Sequence, residues 1–187
     1  MNLILFGPPG AGKGTQSKYL VNKLKNYQIS TGDMLREEIK NNSEIGKKII
    51  KDMDDGKFIN DEIVNNLIKN TLSDPKKRNK LIFDGYPRSL SQAKNLDSLL
   101  KSTNQKVDFI FFLNVNKDTI IERIKKRKTL EKRSDDELDV ILKRYDTYMN
   151  TTKPVLDFYS KNPNFYELDG SLEIDEITAK IEAFLNV

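Results

Sequence analysis

The chain has 187 residues, with 32 Lys and Arg, 28 Asp and Glu, and neither cysteine nor histidine. This composition excludes disulfides, thiolate and histidine catalysis and the common zinc ligands, so carboxylates, Lys, Arg, Tyr and the backbone must carry any chemistry. The net charge of +4 comes from interspersed acids and bases and no apolar run approaches membrane-spanning length, so we expect a cytoplasmic single domain that binds neither nucleic acid nor membrane.

Apolar runs and helical periodicities alternate along the chain. Strands are predicted over Leu3–Phe6, around Gln28–Ser30, and over Leu81–Asp84, Asp108–Val115 and Asn164–Leu168. Helices are predicted over Lys13–Lys25, Asp33–Asn41, Glu44–Asp54, Asp61–Leu72, Leu90–Lys101, Lys117–Lys126, Asp135–Ser160 and Ile174–Leu185. The strands lack polar alternation, as strands buried on both faces do, so the pattern predicts an α/β fold, a three-layer sandwich around a five-stranded parallel sheet.

A glycine-rich segment follows the first predicted strand, at the edge of the sheet where ligands bind. Gly7–Thr15 reads Gly-Pro-Pro-Gly-Ala-Gly-Lys-Gly-Thr, the spacing of a phosphate-binding loop. Its glycines let backbone N–H groups turn toward phosphate oxygens, the next helix adds its free N–H groups, and Lys13 can reach the outer phosphates. Gly14 stands where most such loops carry a magnesium-binding Ser or Thr. The loop alone predicts nucleotide binding.

A long excursion separates the second predicted strand from the third. It contains two predicted helices and then a turn at residues 55–58. One crossover helix needs far fewer residues, so we expect a helical insert over the sheet edge, with hinges near Thr31–Gly32 and Asn60–Asp61.

Charged side chains lie beside two predicted strand ends. Asp84 ends its strand as a Walker B acid does and could hold magnesium, although it could instead cap the next helix. Arg88 offers a planar fork for phosphate. In the segment Ile29–Arg36, Thr31 or Asp33 lies near a helix start, and by itself this segment fits a capped helix with a solvated arginine equally well.

Four arginines follow the fourth predicted strand, at positions Arg123, Arg127, Arg133 and Arg144. Arg123 and Arg127 are four residues apart and so share a helix face. A solvated basic face is the simple alternative. With polyphosphates to neutralise, a lid of arginines is the better interpretation.

Together these motifs resemble adenylate kinase. The resemblance runs in order from Met1 to about Tyr159, through Gly7–Gln16, Ile29–Arg36, Asp54–Ile59, Asp84–Arg88 with Gln92, and the arginine series with Asp135 and Asp136. It implies a monomeric enzyme with a P-loop fold that transfers a phosphoryl group reversibly from magnesium-ATP to AMP and gives two ADP.

The resemblance also implies a role for individual residues. ATP would be bound by Gly10, Ala11, Gly12, Lys13, Gly14, Thr15, Arg123, Arg127 and the backbone of Leu172. AMP would be bound by Thr31, Arg36, Lys57, Ile59, Gly85, Arg88, Gln92, Arg133 and Arg144, with Arg36 and Arg88 on the phosphate and Gln92 on the adenine edge. The catalytic set would be Lys13, Arg88, Arg127, Arg133 and Arg144, and Mg²⁺ would be held through water by Asp84 and Asp33.

The implied organisation is a core of residues 1–29, 60–122 and 135–187, an AMP-binding subdomain at 30–59 and a short lid at 123–134. The long, zinc-capable lid of many bacterial members is absent, so no zinc is expected. Two departures from the family pattern stand out: Tyr86 replaces Phe, and the lid segment from Lys128 to Lys132 holds no glycine.

Two alternatives remain at this stage. A UMP/CMP kinase on the same scaffold is disfavoured by Thr31 and Gln92. A non-catalytic nucleotide-binding protein, such as a GTPase switch, would need a guanine-reading motif that Asn116–Thr119 only approximates, because its Asp comes one place early. Phosphoryl transfer itself needs in-line positioning and charge neutralisation, which lysine, magnesium and arginines supply without a general base.

Overall fold

The computed structural model describes residues 1–131 and 137–187 and has a parallel sheet at its centre. Its five strands are β1 (Leu3–Phe6), β2 (Tyr27–Ser30), β3 (Leu81–Asp84), β4 (Phe109–Asn114) and β5 (Phe165–Asp169), in the spatial order β2-β3-β1-β4-β5. All four neighbouring pairs are parallel. The predicted α/β class and five-stranded parallel sheet are therefore confirmed.

Helices fill the connections between the strands. They are α1 (Lys13–Leu24), α2 (Thr31–Lys40), α3 (Glu44–Asp54), α4 (Asp61–Leu72), α5 (Leu90–Ser102), α6 (Lys117–Glu131), α7 (Leu138–Thr147), α8 (Lys153–Tyr159) and α9 (Ile174–Leu185), with a short 3₁₀ turn at Pro75–Lys77. Helix α2 begins two residues before its predicted start because Ser30 is the N-cap, its hydroxyl accepting from the Asp33 N–H at 3.3 Å. Helix α6 runs five residues past its predicted end.

The predicted single helix over Asp135–Ser160 is wrong in its middle. Helix α7 begins at Leu138, Tyr148–Thr152 form a π-helical turn, and α8 follows. Pro154, at the start of α8, has no N–H to donate to the preceding turn, so the regular α-helical bonding pattern cannot continue through this point. Residues 135 and 136, the first two of the predicted helix, lie outside the described ranges.

Two apolar layers cover the two faces of the sheet. Because successive side chains of a strand point to opposite faces, Leu3 and Leu5 of β1 join one layer while Ile4 and Phe6 join the other. The first layer includes residues of α1, α6, α7 and α9, represented by Leu20, Ile124, Ile141 and Ile181, and the second includes residues of α2 to α5 and α8, represented by Leu35, Ile49, Ile68, Leu96 and Val155. The central strand β1 is fully buried, which holds its carboxyl end in a fixed place.

No helix within residues 1–131 or 137–187 is long and apolar enough to span a bilayer.

Candidate active site

The phosphate loop leaves β1 and enters α1 with glycines in the left-handed region. Gly10 has φ +83° and Gly12, the N-cap of α1, has φ +94°, values that strain residues with a side chain. A Cβ at Gly10 would lie 2.9 Å from Ile124 Cγ1 of α6, so the loop also packs closely against that helix. No side chain caps the described N-terminus of α1, which leaves its first N–H groups for a ligand.

Lys13 is the first residue of α1 and turns back over the loop. Its ammonium donates to the carbonyl oxygens of Gly7 at 2.7 Å and Pro8 at 3.0 Å. The pKa of Lys13 is lowered to about 8, chiefly by burial; Asp84 opposes this lowering, and the charges of Arg88, Arg144 and Arg127 contribute to it. The charges of these three arginines therefore act on the Lys13 ammonium.

Asp84 ends β3, in register with Leu5 of the neighbouring β1. Its Oδ2 accepts from Gln28 Nε2 at 3.0 Å. Burial raises the pKa of Asp84, the Lys13 ammonium and the Gln28 bond lower it, and the nearby charge of Asp33 raises it. Asp84 does not cap the following helix, because Ser89 is the N-cap of α5. That alternative from the sequence is wrong.

Gly14 keeps the space beside Asp84 open. A Cβ at this position would stand 3.6 Å from Asp84 Oδ2, where the Ser or Thr of other phosphate loops would place its hydroxyl. Mg²⁺ typically takes one or two carboxylates together with substrate phosphates. The carboxylates of Asp84 and Asp33 would supply such a donor set together with the oxygens of a bound polyphosphate. Within residues 1–131 and 137–187 no group of three or more acidic, His or Cys side chains forms a cage of its own.

A narrow cleft opens on the other side of Asp84, between β3 and the insert. It is lined by Thr31, Leu35, Phe58, Ile59, Val64, Gly85, Arg88 and Gln92. Thr31 donates from Oγ1 to the Gly85 carbonyl at 2.8 Å, and Arg88 donates from Nε to the same carbonyl at 2.7 Å. Gly85 has φ +72°, and a Cβ there would stand 3.1 Å from Arg88 Nη2. The Gly85 carbonyl thus holds together Thr31 and Arg88, two of the residues predicted for the AMP site.

Gln92 also lines this cleft and is only 2% exposed. Its Oε1 accepts from the Arg88 backbone N–H at 2.7 Å, and its Nε2 donates to Asp61 Oδ1 at 2.6 Å. The second carboxylate oxygen of Asp61 accepts from Ser89 Oγ at 2.8 Å. Both ends of the Gln92 amide are therefore held before any ligand binds.

Arg36 and Lys57, also predicted for the AMP site, do not belong to the described lining of the cleft. Arg36 pairs with Asp33 at 2.5 Å. Lys57 is exposed and pairs with Asp55 at 2.9 Å, which raises the pKa of Lys57. Their predicted roles stay predictions.

Arg144, on α7, lies against the turn that ends the insert's second helix. Gly56 in this turn has φ +71°, and a Cβ there would stand 3.1 Å from Arg144 Cγ and 2.9 Å from Val140 Cγ1. Arg127, on α6, approaches closely enough to lower the Lys13 pKa. Arg133 lies outside the described residues.

Arg123 lies at a different place from the other arginines. It donates to the carbonyl of Gly170 at 2.6 Å and to those of Ser171 and Leu172 at 3.4 Å each. The arginine thus ties α6 to the loop after β5, and Leu172 presents its backbone beside it, where sequence analysis expected the ATP base.

The sequence did not identify the apolar lining residues Leu35 and Val64, nor three residues that contact the polar side chains of the cleft. Phe58 places its ring 5.3 Å from the Arg88 guanidinium carbon, Thr152 of the π-helical turn donates to the Arg88 carbonyl at 3.0 Å, and Asp61 holds Gln92. Thr152 and Asp61 are far from Arg88 and Gln92 along the chain. Of these three, Phe58 alone adjoins a residue that was predicted for the AMP site, Lys57.

Comparison with known proteins places the chain among nucleotide kinases. The family model described as adenylate kinase matches residues 5–164. The chain is similar to an adenylate kinase of Pelagibacter ubique, with 47% identity over 213 aligned positions that cover 100% of both chains. It is also similar to adenylate kinases of Caulobacter sp., with 43% identity over 100% of this chain and 99% of the relative, and of Nocardioides sp., with 38% identity over 100% and 98%.

Proposed function

The chain belongs to the adenylate kinase family, and from this premise we propose which of its residues carry the reaction. The reaction is the reversible transfer of a phosphoryl group from ATP to AMP, which gives two ADP, and the substrates are these nucleotides. The assignment of residues rests chiefly on one observation: the left-handed glycine loop with Lys13 and the cleft that holds Arg88 lie at the carboxyl ends of the neighbouring strands β1 and β3.

We assign the ATP phosphates to the loop and the start of α1. The left-handed glycines Gly10 and Gly12, together with the uncapped N-terminus of α1, supply inward N–H donors for anions. Lys13 would exchange its two loop carbonyls for the outer phosphates, which are stronger partners because they are charged. Gly14 and Thr15 continue this cradle.

We assign the AMP phosphate to Arg88, with Arg36 swinging in from α2. The Arg88 side chain is anchored by the Gly85 carbonyl and its backbone by Gln92 and Thr152. An anchored guanidinium loses little freedom on binding phosphate. Arg127 and Arg144, with Arg133 in the part of the chain not described, would neutralise the charge that spreads over the transferred group.

No general base is required for this transfer. The AMP phosphate oxygen is already an anion and attacks in line, so the protein needs to position two phosphates and remove water. Asp84 and Asp33 would hold Mg²⁺, which when bound neutralises phosphate charge and helps to align the ATP phosphates. The charge of Asp33 raises the pKa of Asp84, which supports assigning both carboxylates to one hydrated ion.

The base of AMP is assigned to the apolar part of the cleft. Leu35, Ile59 and Val64 are each less than 9% exposed and line it, and Gln92 supplies the polar edge. The base of ATP is assigned to Arg123 and the Leu172 backbone. The short lid at 123–134, a monomeric state and a cytoplasmic location stay predictions from the sequence.

Two substitutions test the assignment. Lys13→Ala and Arg88→Ala should each leave the fold intact and reduce kcat in a coupled ADP-formation assay on the order of 10³-fold, as expected for cations that position and neutralise the reacting phosphates. Lys18→Ala, on the exposed face of α1, is the matched control and should keep wild-type turnover. Near-normal turnover of a folded Lys13→Ala or Arg88→Ala enzyme would refute the assignment of that residue to the reacting phosphates.

A further inference from the structure

The orientation of the Gln92 amide is fixed by two partners of opposite kind. Its Oε1 faces the Arg88 backbone N–H at 2.7 Å, and its Nε2 faces Asp61 Oδ1 at 2.6 Å. A backbone N–H can only donate, and an ionised carboxylate can only accept. A flipped amide would set N–H against N–H and oxygen against carboxylate, so a single orientation satisfies both partners.

Asp61 is itself held in place. It is the first residue of α4, and its Oδ2 accepts from Ser89 Oγ at 2.8 Å. Ser89 is the N-cap of α5, and its Oγ accepts from the Gln92 backbone N–H at 3.1 Å. Asp61, Ser89 and Gln92 therefore form a closed loop of hydrogen bonds that joins the starts of two helices.

The fixed amide has one remaining N–H and one remaining oxygen lone pair for a ligand, since a primary amide has two of each. A 6-aminopurine presents a ring-nitrogen acceptor beside an amino donor, which this pair can match. A 6-oxopurine presents a ring N–H donor beside a carbonyl acceptor, the reverse order. A freely rotating Gln would serve both bases by flipping through about half a turn, because its terminal torsion is roughly two-fold.

We propose that Asp61 is a specificity-determining positioning residue. It holds the Gln92 amide in the one orientation that matches the amino edge of AMP and does not match 6-oxopurine monophosphates. This inference rests on the proposed reading of adenine by Gln92. Asp61 itself touches no substrate. Its loss leaves only the Arg88 N–H to bias the amide, so flipping becomes easier and discrimination falls.

The test compares AMP with IMP as phosphoryl acceptors at saturating ATP. Asp61→Asn keeps the size of the side chain and removes its obligate acceptor character. We expect the ratio of kcat/KM for AMP to that for IMP to fall about tenfold, the effect of one hydrogen bond of about 1.4 kcal/mol. Asp61→Ala should lower this ratio at least as much and serves as the second variant. Glu62→Gln is the matched control, because it removes a neighbouring exposed carboxylate from the same first turn of α4 and should leave the ratio unchanged.

Gln92→Leu distinguishes the positioning role of Asp61 from the reading of adenine by Gln92. A lower AMP/IMP ratio in both Gln92→Leu and Asp61→Asn supports the proposal. A lower ratio in Gln92→Leu with a wild-type ratio in both folded Asp61 variants overturns the positioning role and leaves the AMP-site assignment standing. An unchanged ratio in Gln92→Leu overturns the reading of adenine by Gln92 and the inference with it. A rise in KM and a fall in kcat that are the same for AMP and IMP, so that the AMP/IMP ratio stays constant, would overturn the positioning role and show a structural role only.

Discussion

Replacing Lys13 by Met should make the protein more stable while it reduces turnover on the order of 10³-fold. The pKa of Lys13 falls from an ordinary 10.5 to about 8, which corresponds to about 3 kcal/mol of penalty for the charged form at about 1.4 kcal/mol per pKa unit. Loss of the bonds to Gly7 and Pro8 opposes the gain by about 1 kcal/mol. We therefore expect the free energy of unfolding to rise by about 2 kcal/mol at pH 7.

The pH dependence of this difference identifies its source. Below pH 8 Lys13 is protonated in both folded and unfolded protein, so the wild type carries the whole penalty. Between about 8 and 10.5 the unfolded chain holds a proton that the folded protein lacks, so wild-type stability rises relative to the variant. The advantage of Lys13→Met should thus shrink to less than half by a pH of about 9.5.

Urea unfolding of the two proteins at several pH values measures this difference. Lys18→Met makes the same substitution on the exposed face of α1 and should change the free energy of unfolding by less than about 0.5 kcal/mol at any pH. The reasoning is refuted if Lys13→Met is no more stable than wild type at pH 7, or if its advantage does not vary with pH.

Three further substitutions test how the site is supported. Thr152→Val removes the donor to the Arg88 carbonyl and should raise KM for AMP several-fold in steady-state kinetics while KM for ATP stays constant; an equal rise in both would contradict a local effect. Gly56→Ala forces a Cβ to 2.9 Å from Val140 Cγ1 at φ +71° and should lower the free energy of unfolding by about 1–3 kcal/mol in urea, so wild-type stability would exclude the close packing. Tyr148→Phe deletes a buried hydroxyl that has no partner among the described residues and should be neutral or stabilise by up to about 1 kcal/mol in thermal unfolding, whereas a loss above 1 kcal/mol would reveal a bond to that hydroxyl.

The sheet and the phosphate loop could be predicted because their signals are local. Strand β1 is an uninterrupted apolar run that meets the loop at Gly7, and the helix begins at Lys13 as expected. Asp84 was placed correctly at a strand end, although the sequence alone could not decide between a metal ligand and a helix cap. The cap turned out to be Ser89, five residues on.

Contacts between distant segments could not be predicted from the sequence. Asp61 meets Gln92 across 31 positions, and Thr152 meets Arg88 across 64. Such pairs depend on how α4, α5 and the π-helical turn pack on the sheet, and no periodicity of one segment encodes that. The π-helical turn itself was missed because its apolar spacing still resembles an α-helix, and only Pro154 hinted at a break.

The four cations around the loop also act beyond contact distance. The charges of Arg88, Arg127 and Arg144 all act on Lys13, and a cluster of like charges extends its field into solvent over about one Debye length, roughly 8 Å at physiological salt. Nucleotides are therefore attracted by charge before their bases contact the side chains that recognise them. Encounter rates should fall with ionic strength alike for nucleotides that differ only in their base, and more steeply for those with more phosphate charge. Recognition then proceeds in two stages: charge governs how often a nucleotide arrives, and the cleft governs how long it stays.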